Sequence, residues 1–140
     1  MNRLTNLRTQ HPSGAKASIS ILLPTRKRPS GFRRMYDSAM ATASNPESLE
    51  VSVYVDDDDH ETQTALSEWK LPNVLVTVGP RVMFSNMWNL ALKRASAEII
   101  MLAGDDAVFR SSGWDALVKA EFETCPDKIL LVHGRDGCLL

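Results

Sequence analysis

Residues 84–106 read "FSNMWNLALKRASAEIIMLAGDD", and the hydrophobic period changes partway along them. Met87, Leu90, Ala91 and Arg94-Ala95 recur at helical spacing, which predicts a helix over 84–97. "EIIMLA" is instead a continuous apolar run, and Gly104-Asp105-Asp106 closes it. A helix that leads into a buried strand, which in turn ends in polar residues, is the repeating unit of a parallel α/β sheet.

The same grammar extends in both directions. "ASISILLPT" (17–25) predicts a fully buried strand stopped near Pro24, and "SGFRRMYDSAMATAS" (30–44) a helix closed by Asn45-Pro46. "LEVSVYVD" (49–56) and "NVLVTVG" (73–79) predict strands on either side of a helix over 59–71. Beyond the opening stretch, 112–125 reads as a helix and "KILLVHG" (128–134) as a fifth strand. Strands alternating with helices of this length imply right-handed crossovers and a mostly parallel sheet covered on both faces. The expected fold class is α/β.

Size and composition agree with one domain. The chain has 140 residues, of which 44% are hydrophobic and 24% charged, ordinary values for a globular protein. A net charge of −1 gives no support to a role coating nucleic acid. No apolar run is long enough to span a membrane. Residues 1–17 hold no secretory signal and read as a flexible polar arm ahead of a domain over 18–140. Cys125 and Cys138 form no CxxC motif, and fit reduced thiols of a cytoplasmic protein.

Charge is concentrated where strands end. "TRKRPSGFRR" (25–34) carries five cations and no acid, whereas "DDDDHE" (56–61) is its acidic counterpart. Ligands of open parallel sheets bind beyond the strand carboxyl ends, where strand order reverses. With the first strand central, "PTRKR", "DDDD" and "GDD" would share one rim. Cations beside acids suit a ligand bearing both phosphates and a divalent metal, Mg²⁺ or Mn²⁺, which prefers oxygen donors. His11, His60 and His133 are scattered and offer no zinc cluster.

Each cluster also has a plainer reading. Asp58 with Glu61 three residues on matches a capping box, so Asp58 and Asp59 read as a helix start. "GDD" reads equally as a turn, "TRKR" as a solvated loop, and Arg81 of "VGPR" as a loop arginine. There is no GxxxxGK[ST] or GxGxxG, which argues against P-loop and dinucleotide-binding proteins.

In order, "ISILLPT", "VYVDDDD" and "NLALKRASAEIIMLAGDD" resemble the nucleotide-binding half of family 2 glycosyltransferases, which have the Rossmann-like GT-A fold. The resemblance covers residues 18–134. It implies that Thr25 and the neighbouring Arg26 meet the nucleotide, and that Asp56 and Asp57 form the acidic pair. Asp57 would accept from the base, the uracil imide in a UDP-sugar. It further implies Asp105 beside the ribose or metal, Asp106 on the cation, and Arg81 steadying a phosphate.

The chain departs from the family pattern in two ways. Asp58-Asp59 stand where Gly-Ser is usual, and "GDD" lacks the spaced second acid of a strict DxD. The sequence also stops at Leu140, short of the segment that builds the acceptor site in the family. The expectation is therefore a homodimer that binds a nucleotide diphosphate sugar and transfers it poorly alone. The competing readings are a non-catalytic nucleotide-sugar-binding module and a sugar nucleotidyltransferase. The latter class usually carries a Gly-rich loop that "LLPTRKRPSG" lacks.

Overall fold

The computed structural model describes residues 5–8, as backbone, and residues 16–131. Five strands form one sheet in the order β1-β4-β3-β2-β5. These are β1 (Thr5–Arg8), β2 (Ile19–Thr25), β3 (Leu49–Asp56), β4 (Val74–Gly79) and β5 (Ile99–Leu102). Four helices accompany them: α1 (Pro29–Thr42), α2 (His60–Trp69), α3 (Phe84–Leu92) and α4 (Trp114–Glu123).

Strands β2 to β5 run parallel, with Ile21 level with Val51 on one side and Met101 on the other. The chain moves outward from β2 through β3 to β4, then returns to place β5 on the opposite side of β2. Strand order therefore reverses between β2 and β5, which is where a parallel sheet binds ligands.

The central strands β2 and β3 bury their residues on both faces. Ile19, Ile21 and Leu23 of β2 and Val51, Val53 and Val55 of β3 pack with Phe32, Met35, Leu66 and Trp114 of the helices. On the other face Leu22 and Tyr54 meet Met87 and Ala91 of α3. Every residue of β2 and β3 is buried, as the apolar runs predict for central parallel strands. Helix α1 opens with Pro29, whose fixed φ and missing N–H suit a first helical turn.

Several elements differ from the sequence expectation. Thr5–Arg8, read as part of a flexible arm, pairs antiparallel with β4 as an edge strand, Thr5 opposite Val78. Helix α3 stops at Leu92 instead of continuing to 97. The cause is distant in sequence: the buried Glu50 of β3 accepts from the Ser96 backbone N–H at 2.5 Å and the Ser96 hydroxyl at 2.8 Å. Ser20 also donates to Glu50 and accepts from the Ala97 N–H at 3.1 Å. These bonds draw residues 96 and 97 into the turn that enters β5.

The strand expected over 128–134 is not formed in its described part. Residues 128–131 belong to no strand, and 132–134 lie outside the described residues. Lys128 has a positive φ of 56°, and the Asp127 carboxylate accepts from the Ile129 N–H at 3.1 Å. Such a local turn does not present an extended edge. No helix among the described residues is long and apolar enough to cross a membrane.

Candidate functional site at the carboxyl rim of the sheet

The loop from β2 into α1, residues 25–28, is the hub of the rim. On one side the Thr25 hydroxyl donates to Asp105 Oδ2 at 2.9 Å, and Arg28 reaches Asp105 Oδ1 at 3.4 Å. On the other side Arg26 donates to Asp56 Oδ2 and grips Asp58 with two bonds, at 2.6 and 3.0 Å. The Lys27 N–H donates to Asp59 Oδ2 at 2.6 Å. One short basic segment thus ties both acidic segments together. Thr25, Arg26, Asp56 and Asp105 are brought into direct contact across about 80 residues of sequence, counted from Thr25 to Asp105.

The four aspartates at the end of β3 divide their work by position. Asp56, the last residue of the strand, has a side chain 0% exposed beneath Arg26, and its Oδ1 has no hydrogen-bond partner among the described residues. Asp57 is exposed; its N–H extends the β3–β4 ladder to Gly79, and its carbonyl accepts from Gln63 at 3.2 Å. Asp58 is the exposed partner of Arg26. Asp59 is the N-cap of α2, accepting from the Thr62 N–H at 3.2 Å.

The sequence reading with Asp58 as the box residue is therefore corrected by one position. Asp59 caps the helix, and Thr62 rather than Glu61 stands three residues beyond the cap.

The electrostatics follow from these contacts. Hydrogen bonds to Asp58 and then Asp56 raise the Arg26 pKa above its ordinary value, so its positive charge is fixed. The same bond from Arg26 holds the Asp58 carboxyl below its usual range. Burial pushes the Asp59 carboxyl up, but the N–H groups of Lys27 and Thr62 outweigh it and leave the pKa lowered.

The second acidic segment is a tight turn in which the Ala107 N–H donates to the Gly104 carbonyl at 3.1 Å. "GDD" forms the turn that its plainer reading expects, and Asp105 in that turn contacts the rim loop through Thr25. Asp105 is 13% exposed with both carboxylate oxygens engaged, whereas Asp106 is exposed. Arg81 stands exposed two residues beyond β4, at the same end of the sheet. It makes no ion pair with the acids of the rim.

His60 is exposed in the first turn of α2, while His11 and His133 lie outside the described residues. Cys125 is a free thiol, and Cys138 lies outside the described residues. No group of three or more His, Cys, Asp or Glu able to hold a metal occurs among the described residues. Sequence reasoning missed the buried Glu50 and Asp115. Asp115 accepts from the N–H groups of Ser44 and Asn45, at 2.7 and 2.9 Å. Neither sits at the rim.

No family model matches the sequence, and no curated protein matches it. Solved structures do match the fold. Residues 1–349 of Staphylococcus aureus TarS superpose with a TM-score of 0.63 at 19% identity, covering 76% of this chain and 32% of that one. The same protein in complex with UDP gives 0.58 at 21% identity over 76% of this chain and 33% of that one. A mannosyltransferase from Pyrobaculum calidifontis, in complex with GDP-Man and Mn²⁺, gives 0.62 at 21% identity, covering 77% and 32%. The chain therefore spans about a third of the length of the structures it matches. Over that third it has the Rossmann-like α/β fold of GT-A glycosyltransferases.

Proposed function

We propose that the chain is the donor-binding half of a metal-dependent glycosyltransferase, holding a nucleotide diphosphate sugar, UDP-type favoured, at the carboxyl rim. The observation that carries this reading is the single basic loop bonded to two acidic segments at the point where strand order reverses. Structures with this fold have been solved with UDP and with GDP-Man and Mn²⁺, which supports the ligand class.

Within the reading, the exposed Asp57 accepts an N–H from the base. Asp56, covered by Arg26, orients that guanidinium. Thr25 holds Asp105 beside the ribose, and Arg81, exposed just beyond the end of β4, reaches for a phosphate.

The residues fit a hard divalent cation that draws most of its ligands from the substrate. Asp106 offers an open carboxylate next to Asp105, and protein carboxylates are few at such sites. Asp106 would hold Mn²⁺ or Mg²⁺, and the cation when bound supplies neutralisation of the charge that builds on the leaving diphosphate. Arg26 and Arg28 place guanidinium groups on the same rim, which favours a diphosphate.

Two substitutions test the division of labour. Asp106→Ala is expected to remove the metal dependence of nucleotide binding in a folded protein. Asp57→Ala is expected to weaken nucleoside binding with or without metal. Equal effects of both on metal-free binding would contradict the assignment.

A further inference from the structure

We infer that Gly31, in the first turn of α1, is a positioning residue for the acidic turn that carries Asp105 and Asp106. The inference rests on the functional reading above for what the turn binds.

The placement of this glycine has a cost to explain. Gly31 is the third residue of α1, where glycine is a poorer helix former than alanine, and its φ is not positive. Backbone conformation therefore does not demand it. Space does. A Cβ added at Gly31 would lie 2.8 Å from the Asp105 carbonyl oxygen, closer than real Cβ contacts come. The atom it meets is backbone, so no side-chain rotation could relieve the clash.

The same turn is held from the same segment by side chains. Thr25 and Arg28 each bond one oxygen of the Asp105 carboxylate. The start of α1 thus fixes Asp105 through both its side chain and its carbonyl, and the bare face of Gly31 sets how close the turn sits. A second glycine acts on the other acid. A Cβ at Gly104 would lie 2.5 Å from Asp106 Oδ1, so the carboxylate folds back over Gly104. In this arrangement Gly31 seats the backbone of the turn, and Gly104 leaves room for the exposed carboxylate. Displacing the turn outward moves Asp106 relative to the basic loop, and with it any cation shared between Asp106 and a diphosphate.

The test uses the full chain carrying Gly31→Ala, with Gly104→Ala as the second variant, and UDP and Mn²⁺ as probes. Mn²⁺ affinity is measured in the presence of UDP, alongside thermal melting and the amide chemical shifts of residues 104–107 without ligand. For Gly31→Ala the expected result is shifted amides over 104–107, a melting temperature close to that of the parent, and Mn²⁺ affinity weaker by about 10–100-fold, the usual range for partners that orient a metal ligand. For Gly104→Ala, whose Cβ meets only the tip of the Asp106 side chain, that carboxylate can rotate away, and the expected result is a smaller loss of Mn²⁺ affinity than in Gly31→Ala. Unshifted amides together with unchanged Mn²⁺ affinity in Gly31→Ala would overturn the inference while leaving the functional reading intact. A parent chain that binds neither UDP nor GDP with Mn²⁺ would overturn both.

Discussion

Asp58 and Asp59 are neighbours with opposite duties, and the difference follows from which way each side chain points. Asp59 is buried, caps α2 and receives the Lys27 N–H, so it joins the β2–α1 loop to the helix. Asp58 is exposed and its main partner is the Arg26 guanidinium. Asp59→Ala is therefore expected to lower stability by at least about 1 kcal/mol, the usual loss of a cap, with an added loss from the Lys27 N–H left unpaired. Asp58→Ala is expected to leave stability little changed, because exposed ion pairs contribute little. It instead loosens Arg26 and alters nucleotide affinity. Chemical denaturation and nucleotide titration of the two variants check this; a larger stability loss for Asp58→Ala would contradict it. The sequence could not separate the two acids, since a run of four aspartates offers several registers for one cap. Only the Lys27 and Thr62 N–H groups, brought together by folding, choose Asp59.

Among the elements, what could be read in advance was whatever periodicity controls. The apolar runs of β2 and β3 and the helical spacing of Phe32, Met35, Tyr36 and Ala39 are local patterns, and each element formed where expected. Strand β1 was not legible, because "TNLR" has one apolar residue and its pairing with β4 is a matter of backbone bonds. The end of α3 was not legible either, since Glu50 stops it from 46 residues away. "KILLVHG" reads as a strand by its residues alone, yet residues 128–131 sit after a turn with Ile129 82% and Leu131 92% exposed. Composition gave an apolar run; it could not supply a neighbouring strand.

Asp115, at the start of α4, clamps the end of α1 by the same long-range logic. Burial pushes its carboxyl up, but the N–H groups of Ser44 and Asn45 prevail and the pKa is lowered. Asp59 shares that direction. The unfolded chain, with carboxyls near an ordinary pKa of about 3.9, then binds more protons than the folded one in acid. Stability from these two groups is fully present above about pH 4 and is lost as pH falls through their lower folded values. Acid titration of unfolding should show this loss, and Asp115→Asn should be less stable than the parent at neutral pH and lose less on acidification. An unchanged acid profile in Asp115→Asn would count against the clamp.

At the scale of the whole molecule, the sheet is covered unevenly. Helix α3 lies over β2 and β3, while Leu102 of β5 and Phe84 at the start of α3 remain 64% and 63% exposed. We propose that a second copy of the chain covers apolar surface of this kind, giving a homodimer. Sedimentation over a range of concentrations should show a monomer–dimer equilibrium that Leu102→Asp shifts towards monomer; a monomer at every concentration would contradict it. The rim itself was the most legible feature of the molecule. Strand ends are marked in the sequence by the change from apolar to charged residues, and parallel topology gathers them at one end. What the sequence did not reveal was the wiring, in which Arg26 takes Asp56 and Asp58 while Thr25 takes Asp105.

On the proposed function, this rim holds a nucleotide diphosphate together with a divalent cation. The most direct measurement is the melting temperature of the chain with UDP, and separately GDP, in the presence and absence of Mn²⁺. A ligand bound only by the folded state stabilises it by RT ln(1 + [L]/Kd), or about 2.7 kcal/mol at a hundredfold excess over Kd. A clear rise is expected with nucleotide and Mn²⁺ together, and a much smaller one with either alone. No shift with either nucleotide in Mn²⁺, or the same shift without the metal, would contradict it.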